Sequence, residues 1–145
     1  MRIGRLEIAA MIPHGGEMCL LDEVIAWDTA SIRCASESHR SAVNPLARDG
    51  VLPVLCGLEY AAQAMAIHGR LTDAVSERPR AGYLASIRDV KWAVARLDNL
   101  AGTLMIEAEK LAGDGAGVLY RFALTSRGDA VLSGRAAVLL DAGKT

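Results

Sequence analysis

Hydrophobic and polar positions alternate most clearly toward the end of the chain, where Val118, Tyr120, Phe122 and Leu124 recur at every second residue, as do Leu132, Gly134, Ala136, Val138 and Leu140. Such alternation turns one face inward and the other toward water or a neighbour. It predicts strands over 117–127 and 130–140, with two more over 83–95 and 102–112. Gly113-Asp114-Gly115 and Gly128-Asp129 supply hairpin turns between them. Near the start, 18–27 and 31–39 read as two strands joined by Asp28-Thr29. Residues 5–11 predict a short amphipathic helical turn, followed by a Pro13-His14-Gly15-Gly16 loop. The stretch 41–53, with Asn44-Pro45 and Asp49-Gly50, is a loop that leads into one long helix from about Cys56 to Thr72, and 76–80 is a polar break. The expected fold is α+β: an antiparallel sheet of five to six strands around one apolar helix, as a single domain over 1–145. Strand edges left open by such a sheet are commonly paired across a two-fold axis, so a dimer is expected.

The long helix carries one carboxylate, Glu59, and one amide, Gln63, within an alanine-rich apolar sequence. Burying an ionised Glu is costly unless the fold uses or pairs it, which makes Glu59 the first functional candidate. Gln63 lies one turn further on the same face, so the two groups are expected to address one small space. The alternative is a Glu that serves the helix dipole and the free amides of the first turn.

Length and charge narrow the picture further. The 145 residues fit one domain, and 16 Lys and Arg against 17 Asp and Glu leave a net charge of −1 without a dense basic run. Neither nucleic acid nor an anionic membrane is favoured as a partner. Cys19, Cys34 and Cys56 are odd in number and lack metal-type spacing, which points to a reducing cytoplasm and to no metal. No apolar tract is long enough to span a bilayer, and no Gly-rich phosphate cradle is present, so no cofactor is implied.

Two motif blocks carry a family resemblance. Ile12-Pro13-His14-Gly15-Gly16-Glu17-Met18-Cys19-Leu20-Leu21-Asp22-Glu23-Val24, and Leu52-Pro53 through Glu59-Tyr60-Ala61-Ala62-Gln63-Ala64, resemble the hotdog-fold 3-hydroxyacyl-acyl-carrier-protein dehydratases. His39-Arg40, Asn44-Pro45-Leu46, Gly57 to Ala66 and His68-Gly69 are similar to the dehydratase-like subfamily found with aryl polyene gene sets. The resemblance implies a hotdog fold and substrates carried on the phosphopantetheine arm of an acyl carrier protein. It also implies a homodimer, or a heterodimer with another hotdog chain. Arg40, Arg48, Arg78 and Arg80 are candidates to meet an acidic carrier, or are simple solubilising residues. One departure matters: the better-known dehydratases hold a catalytic His in a Gly-His-Phe-Pro-Gly loop before the helix, and 44–53 here contains no His.

Dehydration of a 3-hydroxyacyl thioester needs a base for the C2 proton, an acid for the departing C3 hydroxyl, and donors for charge on the thioester oxygen. A near-neutral His and a carboxyl group suit the first two tasks. Glu59 is the candidate acid. His39, at the expected end of the second strand, is the candidate base, against the alternative of an exposed strand-end residue. His14 either lines an acyl tunnel, bonds to backbone or takes part in the chemistry. Cys56, Gly57 and Leu58 offer helix-start amides for the oxyanion, and Gly57 is expected to admit substrate close to the backbone. Cys56 occupies a place where a thiol pKa can fall, but no nucleophile signature surrounds it, and a small cap or core residue is the other reading. His68 falls on the opposite helix face from Glu59 and is expected to be structural. The alternatives to a dehydratase are a hotdog thioesterase, which directs water at the thioester carbonyl, and a weakly active subunit supporting a catalytic hotdog partner.

Overall fold

The structure is a computed structural model that describes residues 2–12, 18–72, 82–114 and 116–140. The Pro13–Gly16 loop, His14, the 76–80 break, Arg78 and Arg80 lie outside the described residues. The elements are β1 (Ile3–Gly4), α1 (Arg5–Met11), β2 (Glu23–Trp27), β3 (Ser31–Ser36), α2 (Gly57–Thr72), β4 (Gly82–Trp92), β5 (Leu104–Gly113), β6 (Gly117–Ser126) and β7 (Asp129–Leu140). They form one sheet in the order β1-β2-β3-β5-β6-β7-β4, with every neighbouring pair antiparallel. Seven strands replace the expected five to six; the addition is β1, whose two residues are too few to show a period.

The alternating residues of β5, β6 and β7 line up across the sheet. Ile106, Leu124 and Leu132 share one row, and Ala108, Phe122 and Gly134 the next. All of these are buried on the side that meets α2, where they form the core with Tyr60, Ala61, Ala64 and Ile67. A Cβ at Gly134 would come within 2.8 Å of the Phe122 ring, so the missing side chain is the space the ring fills.

Several strand ends fall short of expectation, among them Trp92 against 95 and Leu104 against 102, and side chains explain the two nearest the site. The first was expected from residue 18 but begins at Glu23, because Gln63 takes up Met18 O and Leu20 N–H and draws 18–20 onto the helix. The second was expected to reach His39 but stops at Ser36. There the Glu37 N–H leaves the ladder to bond Asp22 Oδ2 at 2.6 Å, and Ser38–Arg40 close a 3₁₀ turn.

The start of α2 is set from outside the helix. Leu97 N–H donates to Leu52 O at 2.7 Å, Val54 N–H to Ala95 O at 3.0 Å, and Leu52 N–H to the Asp98 carboxylate at 2.8 Å. The Arg96 guanidinium grips the same carboxylate, and together these donors hold the Asp98 pKa down to about 2. A 3₁₀ turn, Val54–Cys56, then delivers the chain into Gly57.

Candidate functional site

His39 is buried, with 1% of its surface exposed. Its Nε2 lies 3.1 Å from the carbonyl oxygen of Leu100, in the loop before β5. A carbonyl only accepts, so Nε2 carries the proton and Nδ1 of the neutral ring is left with a lone pair. That Nδ1 is buried and has no hydrogen-bond partner among the described residues. Burial is the main influence that lowers the His39 pKa, which keeps the ring neutral at pH 7. An unsatisfied buried acceptor costs about 1–3 kcal/mol, and a catalytic role is one account of such a group. The turn around it is braced by Glu37, whose carboxylate takes both Arg40 and the Thr103 hydroxyl.

Glu59 stands in the first turn of α2 and is exposed, without a hydrogen bond or ion pair among the described residues. The expectation of a Glu59 buried within an apolar helix is therefore corrected: α2 leaves Glu59 and Ala66 open. Gln63 does not share a space with Glu59. It is buried, with Nε2 donating to Met18 O at 2.7 Å and Oε1 accepting from Leu20 N–H at 2.9 Å, so both ends of its amide are committed to the fold.

The helix-start amides are also partly spoken for. Cys56 N–H donates to Pro53 O at 3.0 Å and Gly57 N–H turns back to Val54 O, which leaves Leu58 of that trio. A Cβ at Gly57 would come within 2.7 Å of Leu132 and 2.9 Å of Leu124, so its smallness serves helix-on-sheet packing rather than substrate approach. The Cys56 thiol is pushed up, first by burial and then by the Glu59 charge, so it remains a protonated thiol at pH 7. His68 matches its expected structural place: Nε2 donates to Asp28 O at 2.8 Å, and Nδ1 accepts the Tyr120 hydroxyl at 2.7 Å.

Residues next in sequence to the two candidate groups form a polar network that sequence reasoning missed. Tyr60, the residue after Glu59, is fully buried, and its hydroxyl sits 2.8 Å from Ser38 Oγ and 3.0 Å from Asn44 Nδ2. Tyrosine in an otherwise aliphatic helix was the available signal, since a buried phenol needs a partner. Beside the network is an open cleft of about 350 Å³ lined by Arg5, Cys19, Asp22 and Asn44 among others. A second groove, of about 530 Å³, lies on the outer face of the sheet near Trp27 and Arg121. Neither of these two clefts is lined by His39 or Glu59.

The flank of the sheet beyond β7 is apolar and uncovered. Leu84 and Trp92 of β4 pair with Val138 and Leu132, which places them on the helix side, yet they are 44% and 60% exposed. Leu55, just before α2, is 51% exposed. No three His, Cys, Asp or Glu side chains gather to hold a metal among the described residues, and no described helix is long and apolar enough to cross a membrane.

The ApeP-like family, described as ApeP dehydratase, matches residues 6–142. In the solved dehydratase heterocomplex ApeI:P from Xenorhabdus doucetiae, one chain superposes with a TM-score of 0.79 at 23% identity, over 92% of this chain and 90% of that one. Thioesterases from Haemophilus influenzae and Pseudomonas aeruginosa share the fold at TM-scores of 0.70 and 0.69 and identities of 10% and 11%; the matches cover 98% and 95% of this chain and 94% of each of theirs. No curated protein sequence matches the chain.

Proposed function

The chain belongs to the ApeP-like dehydratase family, and from that premise we propose that it removes water from 3-hydroxyacyl thioesters held on the phosphopantetheine arm of an acyl carrier protein, with His39 as base and Glu59 as acid. The observation that carries the assignment is the buried Nδ1 of His39, without a partner among the described residues, on a ring whose other nitrogen is already bonded. In this chemistry Nδ1 takes the C2 proton, and the C2–H pair becomes the C2=C3 double bond. The C3–O bond breaks with its electrons on oxygen, which takes the Glu59 proton and leaves as water. The amide of Leu58 is the proposed donor to the thioester oxygen as charge develops there. His14 stays a proposed second catalytic candidate, its alternatives being to line the acyl tunnel or to bond to backbone, and Gln63, with both ends of its amide engaged, is assigned to holding the segment 18–20 on α2. A reducing compartment such as the cytoplasm fits the three free cysteines.

A second hotdog chain, a copy or a distinct one, is proposed to complete the site. Glu59 faces outward, and Leu84, Trp92 and Leu55 leave an apolar flank uncovered. The similar fold found in a dehydratase heterocomplex supports that reading. Nδ1 is closed off within the single chain, so substrate reaches it only after the turn or its neighbours shift.

The test is incubation with 3-hydroxyacyl and saturated acyl thioesters on carrier protein, with loss of water and release of free thiol followed separately. Dehydration without thiol release is expected. Thiol release from the saturated substrate would instead mark a thioesterase. Turnover only after adding a second hotdog chain would make this chain half of a heterodimeric enzyme.

A further inference from the structure

We propose that Tyr60 is a positioning residue: its hydroxyl, bonded to Ser38 and Asn44, fixes the turn that carries His39 against the helical turn that carries Glu59. The proposal rests on the dehydratase reading above, in which those two groups act on substrate. Ser38 immediately precedes His39 and Tyr60 immediately follows Glu59, so one hydrogen bond of 2.8 Å couples the two backbones at the positions that matter.

The direction of each bond follows from chemistry. Asn44 Oδ1 accepts the Leu46 amide at 2.9 Å, and Nδ2 donates both to Ser38 O at 2.7 Å and to the Tyr60 oxygen at 3.0 Å. With its oxygen accepting from Asn44, Tyr60 gives its own proton to Ser38 Oγ. Ser38 Oγ donates to Leu20 O at 2.6 Å, an acceptor it shares with the Ser36 hydroxyl. The result is a one-way chain, Asn44 to Tyr60 to Ser38 to Leu20, in which each hydroxyl both accepts and donates. Leu20 is held again through its amide by Gln63, one turn along α2. A phenylalanine would fill the same volume without the cost of burying a hydroxyl, so packing alone does not call for tyrosine here. The polar link specifies one geometry where an apolar contact would allow several.

Tyr60→Phe keeps the ring and removes only the link. In the assembly that turns over, kcat is expected to fall about tenfold with KM within about twofold, because a misplaced base weakens the reacting geometry more than substrate binding. With substrate deuterated at C2, the primary isotope effect on kcat should rise, as proton abstraction becomes the slow step. Ser38→Ala cuts the same chain at its next link. Combined with Tyr60→Phe it should lose no more than the worse single variant, and alone it carries the test if Tyr60→Phe does not fold. The proposal is overturned if Tyr60→Phe lowers the unfolding midpoint but leaves kcat and the isotope effect unchanged, or if the two losses multiply. His39→Ala separates the two levels. Full activity in that variant removes the base assignment and the positioning role with it, whereas an inactive His39→Ala beside an unaffected Tyr60→Phe removes the positioning role alone.

Discussion

His39 donates from Nε2 to the Leu100 carbonyl across 3.1 Å, and this single bond decides which of its nitrogens is free to act. A backbone carbonyl cannot rotate to donate, so the tautomer is fixed without a carboxylate partner on the ring. Activity should accordingly need the neutral imidazole. Because burial lowers the His39 pKa, the loss of kcat/KM that protonating the base causes is expected only below the ordinary His range near 6.5. A fall on acidification that already begins above about pH 7 in the rate profile would rule out this assignment.

Stability has a related dependence. His39 and His68 are both held below their ordinary pKa, chiefly by burial, so the unfolded chain binds more protons than the folded one under mild acid. Their contribution is complete above about pH 6.5 and is lost as pH falls through the folded values. The chemical unfolding midpoint should therefore drop on acidification below about pH 6.5, and the drop should be shallower in His68→Gln.

Glu59 makes no contact that folding depends on, being exposed and unpaired among the described residues. Glu59→Gln should change stability by less than about 0.5 kcal/mol, the usual range for exposed sites, while dehydration falls by roughly 10²–10⁴. Only a few-fold loss in carrier-linked turnover would return Glu59 to the role of a helix-dipole residue.

Gln63 behaves in the opposite way. Gln63→Leu strands the buried Leu20 amide, at roughly 1–3 kcal/mol, and frees the half-buried Met18 carbonyl. Urea titration should show that loss, and kcat per folded molecule should change far less than in Glu59→Gln.

Assembly is testable by light scattering and by mixing. At least two chains per particle are expected, since Leu84 and Trp92 lie uncovered on the helix side of an edge strand. If the chain is active as a homodimer and His39 and Glu59 of one site come from different copies, hybrids of His39→Ala with Glu59→Gln regain part of the activity. A monodisperse monomer that turns over on its own would remove the need for a partner.

The residues that alternate, Val118 to Leu124 and Leu132 to Val138, determined their strands by themselves, because a two-residue period in apolar character is a local property and the sheet only had to accept it. The long helix was legible for the same reason, and with it the order of elements that points to the hotdog fold. Glu59, His39 and His68 could be singled out as chemistry-bearing groups from residue type and position. Their surroundings could not. Whether Glu59 is buried depends on which side of α2 the sheet covers, and the sheet leaves that side open. Gln63 was expected beside Glu59 and instead bonds Leu20, 43 positions earlier; Tyr60 finds Ser38 at a separation of 22, and His39 finds Leu100 at 61. Hydrogen bonds at such separations leave no periodic trace in a sequence, because each exists only once the strands and the helix have brought distant segments within 3 Å or so. The tertiary structure alone therefore decided the tautomer of His39, the early end of β3 and the link from Tyr60 to the turn that carries the base.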